Sequence, residues 1–336
     1  MEDDYVDLSD YNDDSVLENE IADLERRLAE AKAKRRQLTP QSDSPPSHTP
    51  SSKCNSPMNR SSHQLTCLNS PTHFLLLLSD SALPLGSFAF SSGLESYLAH
   101  HQKTLAPQQP ASFTSFLPLS ISSYASTTLP YVLAAHRDPS LANLAALDDM
   151  LDASIICTVG RRASVAQGRA LLSIWERSFV GSPGTGTGAG GETDGEREGE
   201  GVRGFSALLR CSAASSSPSS SGDGGGAWDV DPPAVAAHLP PLFGAICALV
   251  GLDLEQTAYV FLLGHVKALV SAAVRAGVFG PYQAQRTLAS GSVQGLIRVM
   301  IEREWETRVE DAGQNVPVMD LWAGRHEVLY SRIFNS

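Results

Sequence analysis

Basic residues are scarce in this chain of 336 residues: 25 Lys and Arg stand against 37 Asp and Glu, a formal net charge of −12. A nucleic-acid surface needs a basic face, so that class of partner is excluded. Cysteine is sparse too, and Cys54, Cys67, Cys157, Cys211 and Cys247 are scattered with no C-x-x-C, which argues against a disulfide framework. Cys157 and Cys247 read as small core residues. The chain has no Gly-Lys pair, hence no P-loop, and neither H-E-x-x-H nor G-x-S-x-G occurs. A formal G-x-G-x-x-G at Gly186, Gly188 and Gly191 lies in low-complexity sequence rather than between a strand and a helix, where alone it has meaning. His100 and His101 are adjacent, so on a helix they diverge and read as surface residues, whereas His265 in an apolar stretch reads as a core histidine. No catalytic and no metal-ligating residues are assigned. An uninterrupted apolar run of about 18 residues is also missing, and residues 1–14 are acidic rather than basic-then-apolar. These absences predict a cytoplasmic protein with no membrane span. Alternation in Val/Ile/Thr runs, the signal of strands, is lacking as well.

What is present is helical. After the acidic tail over 1–14, a helix over 15–39 opens with the capping box Ser15/Glu18 and stops before Pro40. Leu17, Ile21, Leu24, Leu28, Ala31 and Leu38 give it a seam of about three heptads, interrupted by Arg35, which fits either a lone amphipathic helix or a pairing one. Residues 40–72 are Ser/Pro/Asn-rich and read as a disordered linker. Order is expected from His73. Pro84 and Gly86 mark a turn, and Ser92 with Glu95 makes a second capping box before a helix bearing Leu94, Tyr97, Leu98 and His101 on one face. Phe113, Phe116 and Leu117 suggest a helix interrupted at Pro118 and Pro130, and Asp138-Pro139 an N-cap for the next. Helical spacing continues through Leu141, Leu144, Ala145, Asp148 and Leu151, and again through Val165, Leu172, Trp175 and Phe179.

Composition shifts to Gly, Ser, Thr and Glu over 181–228, read as a disordered insertion in which only Phe205–Leu209 could anchor. Leu242, Ile246, Leu249 and Val250 then line one helix face, ending at Gly251. Asp253 and Gln256 open the longest predicted helix, which runs to about Ala276 with Gly277 ending it. It is apolar nearly all round except for the stripe Lys267, Ser271, Arg275, as a helix at the centre of a bundle would be. The predicted fold is all-α, a helical bundle over 73–336 with a long buried central helix. Residues 1–68 and 181–228 are expected to be dispensable to it.

Three segments carry a resemblance. The first, Leu83-Pro84-Leu85-Gly86-Ser87-Phe88-Ala89-Phe90-Ser91-Ser92-Gly93-Leu94-Glu95, is similar to L-P-x-G-x-F-x-Y-S-x-G-L-E. The second is Val270–Arg275 followed by Gly280-Pro281-Tyr282-Gln283-Ala284-Gln285-Arg286. The third is the C-terminal Arg325-His326-Glu327-Val328-Leu329-Tyr330-Ser331-Arg332-Ile333-Phe334-Asn335-Ser336, similar to R-H-E-x-x-Y-S-R-L-F. In this order they resemble the F-type urease accessory proteins. Phe90 departs from the pattern's tyrosine, and Gly280-Pro281-Tyr282-Gln283 from its commoner G-Q.

The resemblance implies an all-α, non-catalytic assembly factor that dimerises and binds the D/H-type accessory protein. It further implies recruitment of the G-type GTPase and docking on apo-urease, with nickel as the metal handled and no tightly bound cofactor. An alternative is a GTPase-activating role, with Arg275 or Arg332 reaching a nucleotide. In the tail, Leu329/Ile333 and Tyr330/Phe334 have i,i+4 spacing, so a short helix ordering on a partner is predicted, with Arg332 paired there and the bundle indifferent to loss of 325–336. Packing of the tail on its own domain is the other reading. Arg275, Gln283, Gln285 and Arg286 fit either a partner surface or helix-end cations favoured by the macrodipole.

Overall fold

Helix ends leave backbone N–H and C=O groups that need partners outside their own helix. The computed structural model describes residues 70–104, 112–180, 194–215 and 235–335, together with Arg26, which is helical. The chain divides into units 1–63 and 64–336, and the fold described here is that of the second. Apart from Arg26, the seam helix over 15–39 and the linker up to residue 69 lie outside the described residues.

Among the described residues there are eleven α-helices and no strand. They are α1 Ser70–Ser79, α2 Leu94–Thr104, α3 Phe113–Arg137, α4 Leu141–Ser154, α5 Thr158–Ile174, α6 Asp194–Ser215, α7 Leu239–Leu249, α8 Leu254–Arg275, α9 Pro281–Ala289, α10 Gly291–Glu304 and α11 Val318–Arg325. A π-helical stretch, Trp175–Phe179, extends α5. At the centre α3 packs against α7, α8 and α10; α1 lies on α8, α6 on α4, and α11 on α2. Helix α1 starts three residues ahead of His73 because Pro71 sits in its first turn, where a missing N–H has no bond to lose.

Helix α8 follows its local signals. Asp253 Oδ1 accepts from the Gln256 N–H at 2.7 Å and Gln256 Oε1 from the Asp253 N–H at 3.3 Å, closing the capping box. At the other end Gly277 takes a left-handed φ of 74°. Thr257, Ala258, Val260, Phe261, Leu262, Val266, Leu269, Val270, Ala272 and Ala273 are buried. By length and composition this helix could cross a membrane, but 61% of that stretch is buried among its neighbours. Its polar stripe looks to other elements: Lys267 Nζ donates to the Ser79 carbonyl, tying down α1. Cys247 is fully buried, which raises its thiol pKa, and Cys157 is half-buried.

Four expectations need correction. The longest helix is α3, with 25 residues against 22 in α8, because it runs through Pro118 and Pro130 rather than stopping. A proline deprives the carbonyl four residues earlier of its donor; the one freed by Pro130 belongs to Ser126 and accepts from the Gly313 N–H at 3.2 Å. Next, Asp138 closes α3, and Ser140 caps α4 by accepting from the Asn143 N–H. Asp138 Oδ1 instead accepts from the Ser140 N–H, an Asx turn. Third, Ser92 has φ 49° and does not cap α2; Ser91 Oγ accepts from the Glu95 N–H at 3.4 Å, and the Glu95 carboxylate points elsewhere.

Fourth, residues 194–215 of the supposed disordered insertion form α6, with Val202 and Phe205 fully buried against the bundle. Glycine is what permits the approach: a β-carbon on Gly201 would collide with the Pro139 carbonyl oxygen. Ser206 Oγ and Arg210 both donate to Glu176 across the seam. The flanking 181–193 and 216–234 lie outside the described residues.

Two predictions follow from this packing. Phe205→Ala should lower the unfolding free energy by about 3–5 kcal/mol, as for other buried phenylalanines, measured by denaturant titration; a change below about 1 kcal/mol would mean that α6 is not part of the core. The second concerns His265, which accepts or donates to Ser120 Oγ at 3.0 Å and stacks on Tyr124 at 4.0 Å. Burial pushes its imidazole pKa down to about 3. It stays neutral in the fold while the unfolded chain begins to protonate near 6.5, so its contribution is full above that pH and falls as acidity increases towards 3. The residue keeps a partly exposed edge, which limits the effect: between pH 6.5 and 4.5 the wild type should lose about 2 kcal/mol more stability than His265→Gln.

Candidate functional site

Residues of the three segments that carry the resemblance meet around the C-terminal tail, where a buried carboxylate of the first segment holds the third. Glu95, in the first turn of α2, is 9% exposed. Its Oε1 accepts from the Ile333 N–H at 2.6 Å; its Oε2 accepts from the Phe334 N–H at 3.2 Å and from His326 Nε2 at 2.9 Å. An ionised carboxylate only accepts, so Nε2 carries the proton of that imidazole. His326 is fully buried, and its Nδ1 has no partner among the described residues.

The turn before α2 supplies more contacts. Gly86 has φ 73° and opens a 3₁₀ turn, Ser87–Ala89. The Ala89 carbonyl accepts from the Asn335 N–H at 2.8 Å. Gly93 combines φ 84° with Trp322 and Ala323 lying 3.1 Å from where a β-carbon would sit, so α11 can close on the start of α2 only at glycine. Pro84 is exposed, Phe88 is 64% exposed, and Phe90 is half-buried, with no hydroxyl to offer in its tyrosine's place.

The end of α8 makes the third side. Arg275 donates to the Phe88 carbonyl and lies over the Phe334 ring at 4.4 Å, with Phe88 at 6.0 Å. The sequence grouped it with Gln283, Gln285 and Arg286, but those three face solvent on α9 while Arg275 turns to the tail. Arg332 is likewise engaged: it meets Glu327 at 2.9 Å, and Arg162 pairs with the same carboxylate. The two guanidiniums, Arg162 first, hold the Glu327 carboxyl below the usual carboxylate range. Arg325 lies over Trp322, which also packs edge-on against Tyr97 at 5.6 Å.

The tail is therefore not the helix its spacing suggested. After α11 comes a 3₁₀ turn, His326–Val328, and then irregular chain. A helix would direct the N–H groups of residues 333–335 to its own carbonyls, whereas here they serve Glu95 and Ala89. Its apolar residues are divided as a result: Phe334 is 5% exposed and Leu329 half-buried, while Val328, Tyr330 and Ile333 face outward. Packing on its own domain, the other reading of the tail, is what the structure shows.

A second buried carboxylate escaped the sequence reading. Asp148 accepts from the N–H groups of Ala236, Ala237 and His238 at 2.6, 3.1 and 2.7 Å. His238, fully buried, meets Ser164 Oγ at 3.0 Å and Asp152 at 2.8 Å. The hydrogen bond from Arg161 is the main cause that lowers the Asp152 pKa. Spacing placed Asp148 on the inner face of α4, which was the available signal, but not what it would hold. This cluster anchors residues 236–238 ahead of α7. Among the described residues, no three His, Cys, Asp or Glu side chains gather as a metal site requires.

Deletion of 326–336 should now destabilise the bundle by at least about 3 kcal/mol in denaturant titration, since the Phe334 ring leaves its site. Arg332→Ala, at an exposed ion pair, should change stability by less than about 1 kcal/mol. An unchanged midpoint after the deletion would contradict the packing described.

A protein-family model described as UreF matches residues 108–291. An uncharacterized urease accessory protein UreF-like of Schizosaccharomyces pombe is 37% identical over 275 residues, spanning 81% of this chain and 100% of that protein. Urease accessory protein F of Oryza sativa subsp. japonica is 29% identical, over 76% of this chain and 82% of the relative. Urease accessory protein UreF of Paenarthrobacter aurescens is 30% identical, over 77% and 95%.

Proposed function

The chain belongs to the UreF family, and from that premise we propose that it is a non-catalytic urease accessory protein, a scaffold for metallocentre assembly. In this reading it binds the D/H-type accessory protein, recruits the G-type GTPase and docks with them on apo-urease in the cytoplasm. It works there as a dimer. Nickel is the cargo of the assembly rather than a resident cofactor.

The observation that carries the reading is the division of the tail. Phe334 and His326 anchor it to the bundle, and Val328, Tyr330 and Ile333 are left facing solvent. Apolar and aromatic side chains held outward on a fixed backbone suit a protein interface, where anchors such as tyrosine dominate binding. The GTPase-activating alternative has less support. An arginine that stabilises a transferring phosphoryl group must be free to reach it, and both Arg275 and Arg332 are engaged within the chain.

Isothermal titration of the full chain against the purified D/H-type accessory protein tests the docking face. Tyr330→Ala/Ile333→Ala should weaken binding about 30-fold, or ~2 kcal/mol, with an unchanged melting temperature. Equal affinity for the variant and the wild type would remove this face from the interface.

A further inference from the structure

We propose that Glu95 is a positioning residue for partner capture, its carboxylate setting the posture in which the tail presents Tyr330 and Ile333. The inference rests on the docking face proposed above and adds the residue that controls it.

Three donors converge on this one side chain, from Ile333, Phe334 and His326, all within 3.2 Å. Only an acceptor-only group can serve three N–H donors with two atoms. Other contacts also hold the tail, but none takes up the N–H groups of residues 333 and 334: Arg332 and Arg162 meet the Glu327 side chain. Arg275 lies over the Phe334 ring, which leaves the backbone direction free, and the Asn335 bond to Ala89 lies beyond the outward residues. The Ile333 N–H, by contrast, belongs to an outward residue itself, so the bond to Oε1 fixes where that residue's backbone sits.

His326 adds a side-chain donor to the clasp on Glu95. Its ring is fully buried with one nitrogen on the carboxylate and the other, Nδ1, unpartnered among the described residues. A buried unsatisfied polar atom is a standing cost, so the bond to Glu95 is the polar contact that offsets it. Losing that acceptor leaves both ring nitrogens without a partner among the described residues.

Glu95→Gln tests the idea with a side chain of the same size. The amide keeps one acceptor oxygen and turns two N–H groups towards donors. Hydrogen exchange on the full chain should show protection at Ile333, Phe334 and Asn335 falling at least tenfold beyond any fall in α8. Affinity for the purified D/H-type accessory protein should fall at least tenfold alongside. Tail amides as protected as in the wild type would overturn the proposal. So would an equal loss in α8, which would make Glu95 a core residue only, or a freed tail with unchanged affinity. Tyr330→Ala/Ile333→Ala separates the two ideas, because it keeps the clasp. Normal binding by that variant overturns the docking face, and capture with it, whatever the exchange at residues 333–335 shows.

Discussion

A carboxylate taken out of water must be given donors, and two such groups organise this bundle. Glu95 collects N–H groups from residues 333 and 334, and Asp148 collects them from residues 236, 237 and 238. Both are joined by a fully buried histidine, His326 at the first and His238 at the edge of the second. Backbone amides suit the task because they are obligatory donors that otherwise need partners of their own. Irregular chain can therefore enter an apolar bundle at these two points with these backbone N–H groups paired. The first point seats the C-terminal tail, and the second seats the segment that leads into α7.

Around Glu95, elements distant in sequence share one requirement. The glycine turn before α2 must let α11 come close, and Gly93 does so with a left-handed backbone and no β-carbon. The end of α8 must cover Phe334, and Arg275 does so with its guanidinium face while donating to the Phe88 carbonyl. Contacts to other segments account for two members of the polar stripe on α8. Lys267 and Arg275 are tethers for the segments that cross it, one for α1 and one for the tail.

Signals confined to a few residues were legible in the sequence. The box at Asp253 and Gln256, the stop at Gly277 and the buried face of α8 depend on neighbours within one or two turns. The errors share another cause. Pro130 looks like a break until Gly313, far along the chain, donates to the carbonyl it frees. Residues 194–215 look like low-complexity sequence because the glycine that lets α6 approach Pro139 is also what dilutes its helical pattern. The i,i+4 spacing in the tail suggested a helix, and competition from Glu95 for the same N–H groups decided otherwise. For the site itself, the motif positions were visible and their mutual contacts were not, since Glu95 and Phe334 are 239 residues apart.

The conformation of the tail also changes the thermodynamics of the proposed docking. A segment that folds as it binds must meet the cost of ordering at that moment, typically several kcal/mol. Here that cost is met within the chain, by three hydrogen bonds to one carboxylate and by burial of Phe334. What remains for a partner is a short, already ordered surface of Val328, Tyr330 and Ile333. Such preorganisation raises affinity without enlarging the contact. It also means that changes at buried Glu95 can act on binding with no contact to the partner, through the backbone of the tail alone.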